Sequence, residues 1–390
     1  MPLVNMKDML VHAHRTGYAV GAYDLVSLHF LEGIMAAAEC DRAPVILSLA
    51  ESHFRHFDFT LAMAATVAAA RRASVPVAIH LDHGESLQSA IDAIRLGCNG
   101  VMFDGSHLPF AENVARTREV VEMAHRCGVT VEGELGYVPG VEGEDAELHP
   151  GELRMTTPDE AATFVEETGV DCIAVSIGTV HGRMRGTPRL DIDRLAAINH
   201  RLAMPLVIHG GTGLTEAQYR ALIANGVSKI NYFTALSDAA AETIRRNAAQ
   251  GAKGHTGLLE GVHTAIEAEC RRMNALWGSA GRAAGCLAAC RPWREVEHLI
   301  IYNVAGIDEA EALSRAEEGR RVLGAIPGVR SIEHGVALDP DARYRFAWLI
   351  RFAAPEVVAH YRTHPDHVRF ADEKFRPVAA DRISIDYELG

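Results

Sequence analysis

Lysine is nearly absent from this chain of 390 residues: Lys7, Lys229, Lys253 and Lys374 stand against 34 arginines. A mechanism that needs a lysine Schiff base therefore has few candidates. No run of about 18 apolar residues occurs, so no membrane-crossing helix is expected. The start, MPLVNMKDMLVHAHRTG, lacks a basic segment leading into an apolar one, so no secretory signal is read and a cytoplasmic protein is expected. Basic charge is also short. A net charge of −13 argues against a nucleic-acid partner, whose phosphates call for a basic face. A small anion is not excluded, because local dipoles can hold one. The seven cysteines (40, 98, 127, 172, 270, 286 and 290) form no CxxC pair and are odd in number, which points to reduced thiols.

What is present is a rhythm. Short apolar runs at 19–23, 44–49, 76–81, 100–103, 130–135, 172–177, 205–208 and 228–232 alternate with helical patterns such as 28–40, 61–72, 86–95, 112–126 and 216–224. Runs that are apolar throughout predict parallel strands covered by helices. Eight such units predict an α/β fold, a TIM (β/α)8 barrel, over residues 1–277. A doubly wound open sheet is the alternative, but no GxGxxG follows the first run. The small-residue stretch 278–293, GSAGRAAGCLAACRPW, reads as a linker. Residues 294–390 then read β-α-β-β-α-β, a small ferredoxin-like α+β domain.

Barrel enzymes carry their chemistry where strands end and loops begin. His83 follows the third run, His181 the sixth and His209 the seventh. Three imidazoles converging on one mouth suit Zn2+, which takes three protein ligands and keeps one position open. His80 lies further back, where side chains fill the barrel, and His107 sits in the fourth loop. The turn His209-Gly210-Gly211-Thr212-Gly213 and the segment Asn231–Thr234 each precede a helix, an arrangement that binds phosphate through backbone N–H groups. A tight turn alone would also use those glycines. Asp82 and Glu142 are carboxylates placed to move protons, although Glu142 is also readable as a solvated loop charge.

Together, GYAVGAYD, HLDHG, DGSHLPFAENV, VEGELG, IGTVHG, PLVIHGGTGL and KIN with a following Thr resemble the class II fructose-bisphosphate/tagatose-bisphosphate aldolase family over about residues 1–280. The C-terminal segment, with IPGV and HPDHVRF, resembles the stress-responsive dimeric α+β barrel (Dabb-like) domain. The first resemblance implies reversible cleavage of a ketose phosphate to dihydroxyacetone phosphate and an aldehyde. It implies zinc on His83, His181 and His209, with Glu134 as alternate ligand. Asp82 would be the acid/base at the hydroxyl of the breaking bond, and Glu142 would move the proton on the triose carbon. Gly182, Gly210, Gly211, Thr212, Asn231 and Thr234 would form the phosphate and dihydroxyacetone pocket, with Na+ or K+ in the same loops. The second resemblance implies a homodimer or homotetramer.

Departures fall at Asp24, where relatives often have Asn, at Glu51 and His53 in the turn after the second run, and at Glu267, where tagatose-type enzymes place an arginine for the distal phosphate. These four are specificity candidates. Glu267 favours a ketose 1-phosphate or an unusual aldehyde partner over a 1,6-bisphosphate, because a carboxylate there repels phosphate, while Arg271 or Arg272 could compensate and keep a bisphosphate open. Three other readings stay open: a Schiff-base aldolase using Lys229, a metal-dependent hydrolase (whose usual His-x-His pair is missing from the first run), and a non-catalytic sugar-phosphate binding or assembly protein. In the C-terminal domain His298, His334, Tyr361, His364 and His367 are candidates to line a pocket.

Overall fold

The computed structural model describes residues 2–138, 140, 154–183 and 188–389. They form two compact units, one holding most residues up to Pro292 and the other most of those from Trp293 onward.

The first unit is a closed barrel of eight parallel strands in sequential order: β1 (Val20–Asp24), β2 (Val45–Ala50), β3 (Val77–Gly84), β4 (Gly100–Phe103), β5 (Thr130–Leu135), β6 (Cys172–Val175), β7 (Leu206–Ile208) and β8 (Val227–Tyr232). β8 pairs back onto β1, with Ala22 beside Asn231. All but one of the strand residues are buried, the exception being the half-buried His83, because helices cover one face and the barrel interior takes the other. Polar residues set the helix starts: Asn5 and Asp58 cap two of them, and Thr215 with Gln218 makes a capping box on Glu216–Ala224. Gly17, at φ 69°, stops the first helix where a side chain would be strained. β3 runs three residues beyond its predicted end, through Asp82 and His83 to Gly84.

The stretch 278–293 is not an open tether. It contains the helix Ala283–Ala289, and Cys286 and Cys290 are buried with Met6, Met9, Leu10 and Tyr18 in the barrel's core cluster. Small residues here allow close helix packing, which composition alone does not distinguish from flexibility.

The second unit is a four-stranded antiparallel sheet in the order β10-β11-β9-β12, formed by β9 (Val296–Val304), β10 (Val329–Val336), β11 (Phe346–Phe352) and β12 (Ala379–Glu388). With the helices Glu309–Leu323 and Pro355–Thr363 it has the ferredoxin-like order. Tyr302, Phe346, Trp348, Ile350 and Phe352 are buried on the face that the helices cover. The opposite face is bare: Leu349, Ile383, Ile385 and Tyr387 are exposed, and Leu299 pairs with both Leu349 and Ile385 across the strands. The five pocket candidates are divided between places. His334 meets the Tyr302 hydroxyl at 2.9 Å, His298 meets Asp386 at 2.6 Å, Tyr361 packs on His367, and His364 accepts the backbone N–H of Asp366.

Candidate active site

Asp82 and His83 are neighbours on one strand, so regular pleating would send them to opposite faces. Two local features change that. The β3–β4 register shifts between Leu81 and Gly84, and His83 adopts φ 46°, a left-handed conformation that a branched or bulky side chain rarely takes. Both side chains then face the mouth, with His83 Nε2 3.8 Å from Asp82 Oδ2.

His181, in the loop after β6, and His209, directly after β7, complete the cluster. One ring nitrogen from each of the three histidines lies within 4.8 Å of the others. The remaining nitrogen of each ring is held by an acceptor. His83 Nδ1 is 2.7 Å from Asp104 Oδ2, His181 Nδ1 is 3.2 Å from the Val138 carbonyl, and His209 Nε2 is 2.9 Å from Glu132 Oε1. Such partners fix the tautomer and turn the other lone pair toward the centre. Two inward atoms, His83 Nε2 and His181 Nε2, are buried without a hydrogen-bond partner, and the third, His209 Nδ1, lies 3.2 Å from Glu134 Oε2. Buried polar atoms are normally satisfied, so these inward nitrogens fit a cation held between them.

Charge supports the same ion. Asp82, Glu132 and Glu134 are buried beside the Lys229 ammonium and two imidazoles, His83 and His209, that these carboxylates raise above the ordinary histidine value. Burial alone would raise the Asp82 carboxyl, but His83, Lys229 and His209 hold it well below the usual carboxylate range. Burial would likewise favour neutral His209, yet Glu134 and Glu132 push it up to about 9. For His181, burial and then the neighbouring His83 and His209 outweigh the pull of Asp82 and drive it down to about 3. Imidazole and carboxylate are the ligand types that a divalent cation takes, and this cluster offers both.

Lys229 lies on the inner face of β8, 2.8 Å from Glu132 Oε2, and donates to Asn231 Oδ1 at 2.6 Å. Although burial disfavours its charge, Glu132 and Asp82 raise it above the ordinary lysine value. It stays an ammonium, which removes it as a Schiff-base nucleophile. Asn231 Nδ2 donates to both oxygens of Asp82 at 2.9 Å.

The glycine-rich loops close around this centre. Gly210, at φ 67°, lies against the Val180 carbonyl oxygen, and any Cβ there would collide with it. Only glycine lets the β7 loop approach the His181 loop so closely. Gly182 is also left-handed, at φ 85°. The helix Thr234–Ala249 starts without a side-chain cap of its own, and Thr212 Oγ1 accepts the Ala235 N–H at 3.4 Å. Its first-turn N–H groups can receive an anion. A cavity of about 540 Å³, lined by Ser52, Glu85, His107 and Tyr137, opens onto His83 and His181.

The specificity candidates separate. Asp24 is buried at the end of β1, and His53 is buried 4.5 Å from the Phe233 ring, where burial lowers it to about 4. Glu51 is committed elsewhere: its oxygens accept the Glu85 N–H and the Ser89 hydroxyl, both at 2.8 Å, and tie down the start of the helix Leu87–Leu96. Glu267 lies on the helix Val262–Leu276, 3.8 Å from Arg271. Glu142 lies outside the described residues. Asp104 and Glu132 were not singled out from the sequence. For Glu132 the signal was its two-residue spacing from Glu134, which puts both on one face of β5.

Residues 4–282 match the family model described as "Fructose-bisphosphate aldolase class-II", and residues 296–389 match that of the "Stress responsive A/B Barrel Domain". A Bacillus subtilis protein named "Probable fructose-bisphosphate aldolase" is 43% identical over 252 residues, 64% of this chain and 87% of the relative. A Staphylococcus aureus fructose-bisphosphate aldolase is 42% identical over 248 residues, 63% of this chain and 86% of its own. Among solved structures, the YdjI aldolase of Escherichia coli K12 aligns with a TM-score of 0.65 at 32% identity, covering 72% of this chain and 99% of its own. A Coccidioides immitis protein described as a putative fructose-1,6-bisphosphate aldolase aligns at 0.66 and 30% identity, covering 71% and 97%.

Proposed function

Because the chain belongs to the class-II fructose-bisphosphate aldolase family, we propose that it cleaves a ketose phosphate reversibly to dihydroxyacetone phosphate and an aldehyde. The observation that carries this reading is the set of three inward imidazole nitrogens beside an ionised, hydrogen-bonded Asp82. His83, His181 and His209 would hold Zn2+, with Glu134 as alternate ligand, and Na+ or K+ would occupy the adjoining loops. When bound, the zinc supplies the Lewis acidity that draws the electrons of the broken bond toward the neighbouring carbonyl.

The side chains supply the rest. Asp82 accepts the proton of the hydroxyl on the departing carbon, which becomes the aldehyde. Glu142 returns a proton to the triose carbon. Gly182, Gly210, Gly211, Thr212 and Thr234 orient the phosphate, fixing the reacting bond against Asp82. For the aldehyde half, the distal phosphate has no receptor at Glu267, and Arg271, its nearest cation, is held by Asp41 at 3.1 Å. A ketose 1-phosphate is therefore the proposed substrate, with Asp24 and His53 facing its far end. The seven cysteines are free, in keeping with a reducing cytoplasm. The bare face of the C-terminal sheet is the proposed contact with a second copy, giving a homodimer or homotetramer. A non-catalytic binding role would not need the Asp82–Asn231 arrangement.

Release of dihydroxyacetone phosphate from ketose 1-phosphates and 1,6-bisphosphates, measured before and after chelation, tests the reading. Activity should vanish with EDTA and return with Zn2+, and 1-phosphates should give the higher kcat/KM. Full activity in metal-free protein would overturn the mechanism, and a strong preference for bisphosphates would overturn the substrate assignment alone.

A further inference from the structure

Lys229 is a fully buried ammonium that the proposed chemistry does not use. We infer that it is a positioning residue, setting the orientation of the Asn231 amide that faces Asp82. The inference rests on the metal-site reading above and concerns how that site is held in order.

The reasoning is one of hydrogen-bond direction. An ammonium has three donors and no acceptor, so whatever touches it must accept. Asn231, at 2.6 Å, must turn its oxygen to Lys229, and its NH2 group is then left for Asp82, where it meets both carboxylate oxygens at 2.9 Å. A flipped amide would present an oxygen to a carboxylate. Glu132 turns Oε2 to Lys229 at 2.8 Å and Oε1 to His209 Nε2 at 2.9 Å. An ionised carboxylate only accepts, so His209 presents Nε2–H to Glu132 and turns Nδ1 to the centre, 3.2 Å from Glu134 Oε2. His80 Nε2 lies 3.6 Å from Glu132 Oε2, too far to share the task. The donor-only ammonium thus dictates the direction of an amide beside it, and in this chain that amide is Asn231, whose other end meets the proton-accepting carboxylate. All five side chains project from or directly follow the barrel strands β3, β5, β7 and β8.

The test uses full-length Glu132→Gln, Lys229→Met and the double variant. Zinc dissociation constants come from competition with a chromophoric chelator, and kcat is measured at saturating Zn2+. In Glu132→Gln, the retained lysine takes the amide oxygen and leaves the NH2 toward His209, reversing the tautomer. Zinc binding should weaken about 10–100-fold, the range for losing such a partner, while kcat is largely kept. In Lys229→Met, kcat should fall with KM little changed, and zinc binding should be largely kept because Glu132 still accepts from His209. The double variant should bind zinc more tightly than Glu132→Gln, because without the lysine the amide oxygen is free to face His209, but its kcat should stay low because Asn231 has lost its donor.

A merely structural role predicts that the double variant is the worst of the three. That result, or unchanged zinc affinity in Glu132→Gln, would overturn the inference even if the lysine variants fail to fold. Wild-type protein that binds no zinc would instead sink the underlying reading.

Discussion

At the barrel mouth Asp82, Glu132 and Glu134 are buried with three histidines, whereas on the C-terminal sheet Leu349, Ile383 and Ile385 stand in water. Soluble proteins ordinarily arrange these residue types the other way round. Burying three carboxylates is unfavourable unless cations balance them, a task shared here by Lys229, His83 and His209. Leaving a strip of aliphatic side chains exposed is unfavourable unless another surface covers it. The two regions thus break the same rule in opposite senses, which the proposed ion and the proposed second copy would each relieve.

The largest effect should come from the barrel. Asp82→Asn keeps the shape of the side chain but removes its capacity to accept a proton. It should lower kcat about 10²–10⁴-fold, the usual contribution of a positioned general base. If the ion sits on the proposed histidine set and not on the alternative group of Asp82, Glu132 and His209, the zinc dissociation constant should hardly move. Loss of zinc with little loss of kcat per bound zinc would make Asp82 a ligand and not the base.

The contrast also explains how much was legible beforehand. All eight barrel strands were readable because both sheet faces are buried, which makes each strand an unbroken apolar run. His83, His181 and His209 were readable because the chemistry of a barrel sits at strand ends. The direction in which each ring points was not readable. It depends on the left-handed turn at His83 and the register shift in β3, and on Asp104, Glu132 and the Val138 carbonyl, groups that only the fold brings close. Glu51 shows the converse. It carries a conspicuous charge beside the mouth, yet its role is to hold the start of a helix. The segment 278–293 misled through its small residues, which serve helix packing here.

A middle-sized effect should appear in stability against pH. His209 is held up to about 9 by Glu134 and Glu132, against an ordinary value of 6.5. A raised value means a contribution fully present below about pH 6.5 and lost as pH climbs through 9. The zinc-free protein should therefore lose stability across that window. In the zinc-loaded protein Nδ1 carries no proton to lose, so the gap in Tm between the two forms should widen from pH 6.5 to 9. Parallel Tm curves would show that His209 does not exchange a proton for the ion.

The smallest effect on chemistry should come from the sheet, where only assembly is at stake. Leu349 sits on the bare face, across the strands from Leu299, in the unit that does not hold the histidine cluster. Leu349→Glu places a charge where a second copy would exclude water. It should raise the dissociation constant of the assembly about 30-fold or more, equivalent to roughly 2 kcal/mol at an interface centre. Light scattering across a dilution series would read this as a lower mass at a given concentration, with kcat unchanged. The helix-covered face supplies the control, since a charge at Trp348 would unfold the domain instead of separating copies. If Leu349→Glu keeps the wild-type mass at every concentration, the sheet's exposed strip serves some other partner, and the parallel between a barrel waiting for its ion and a sheet waiting for its twin fails on the sheet's side alone.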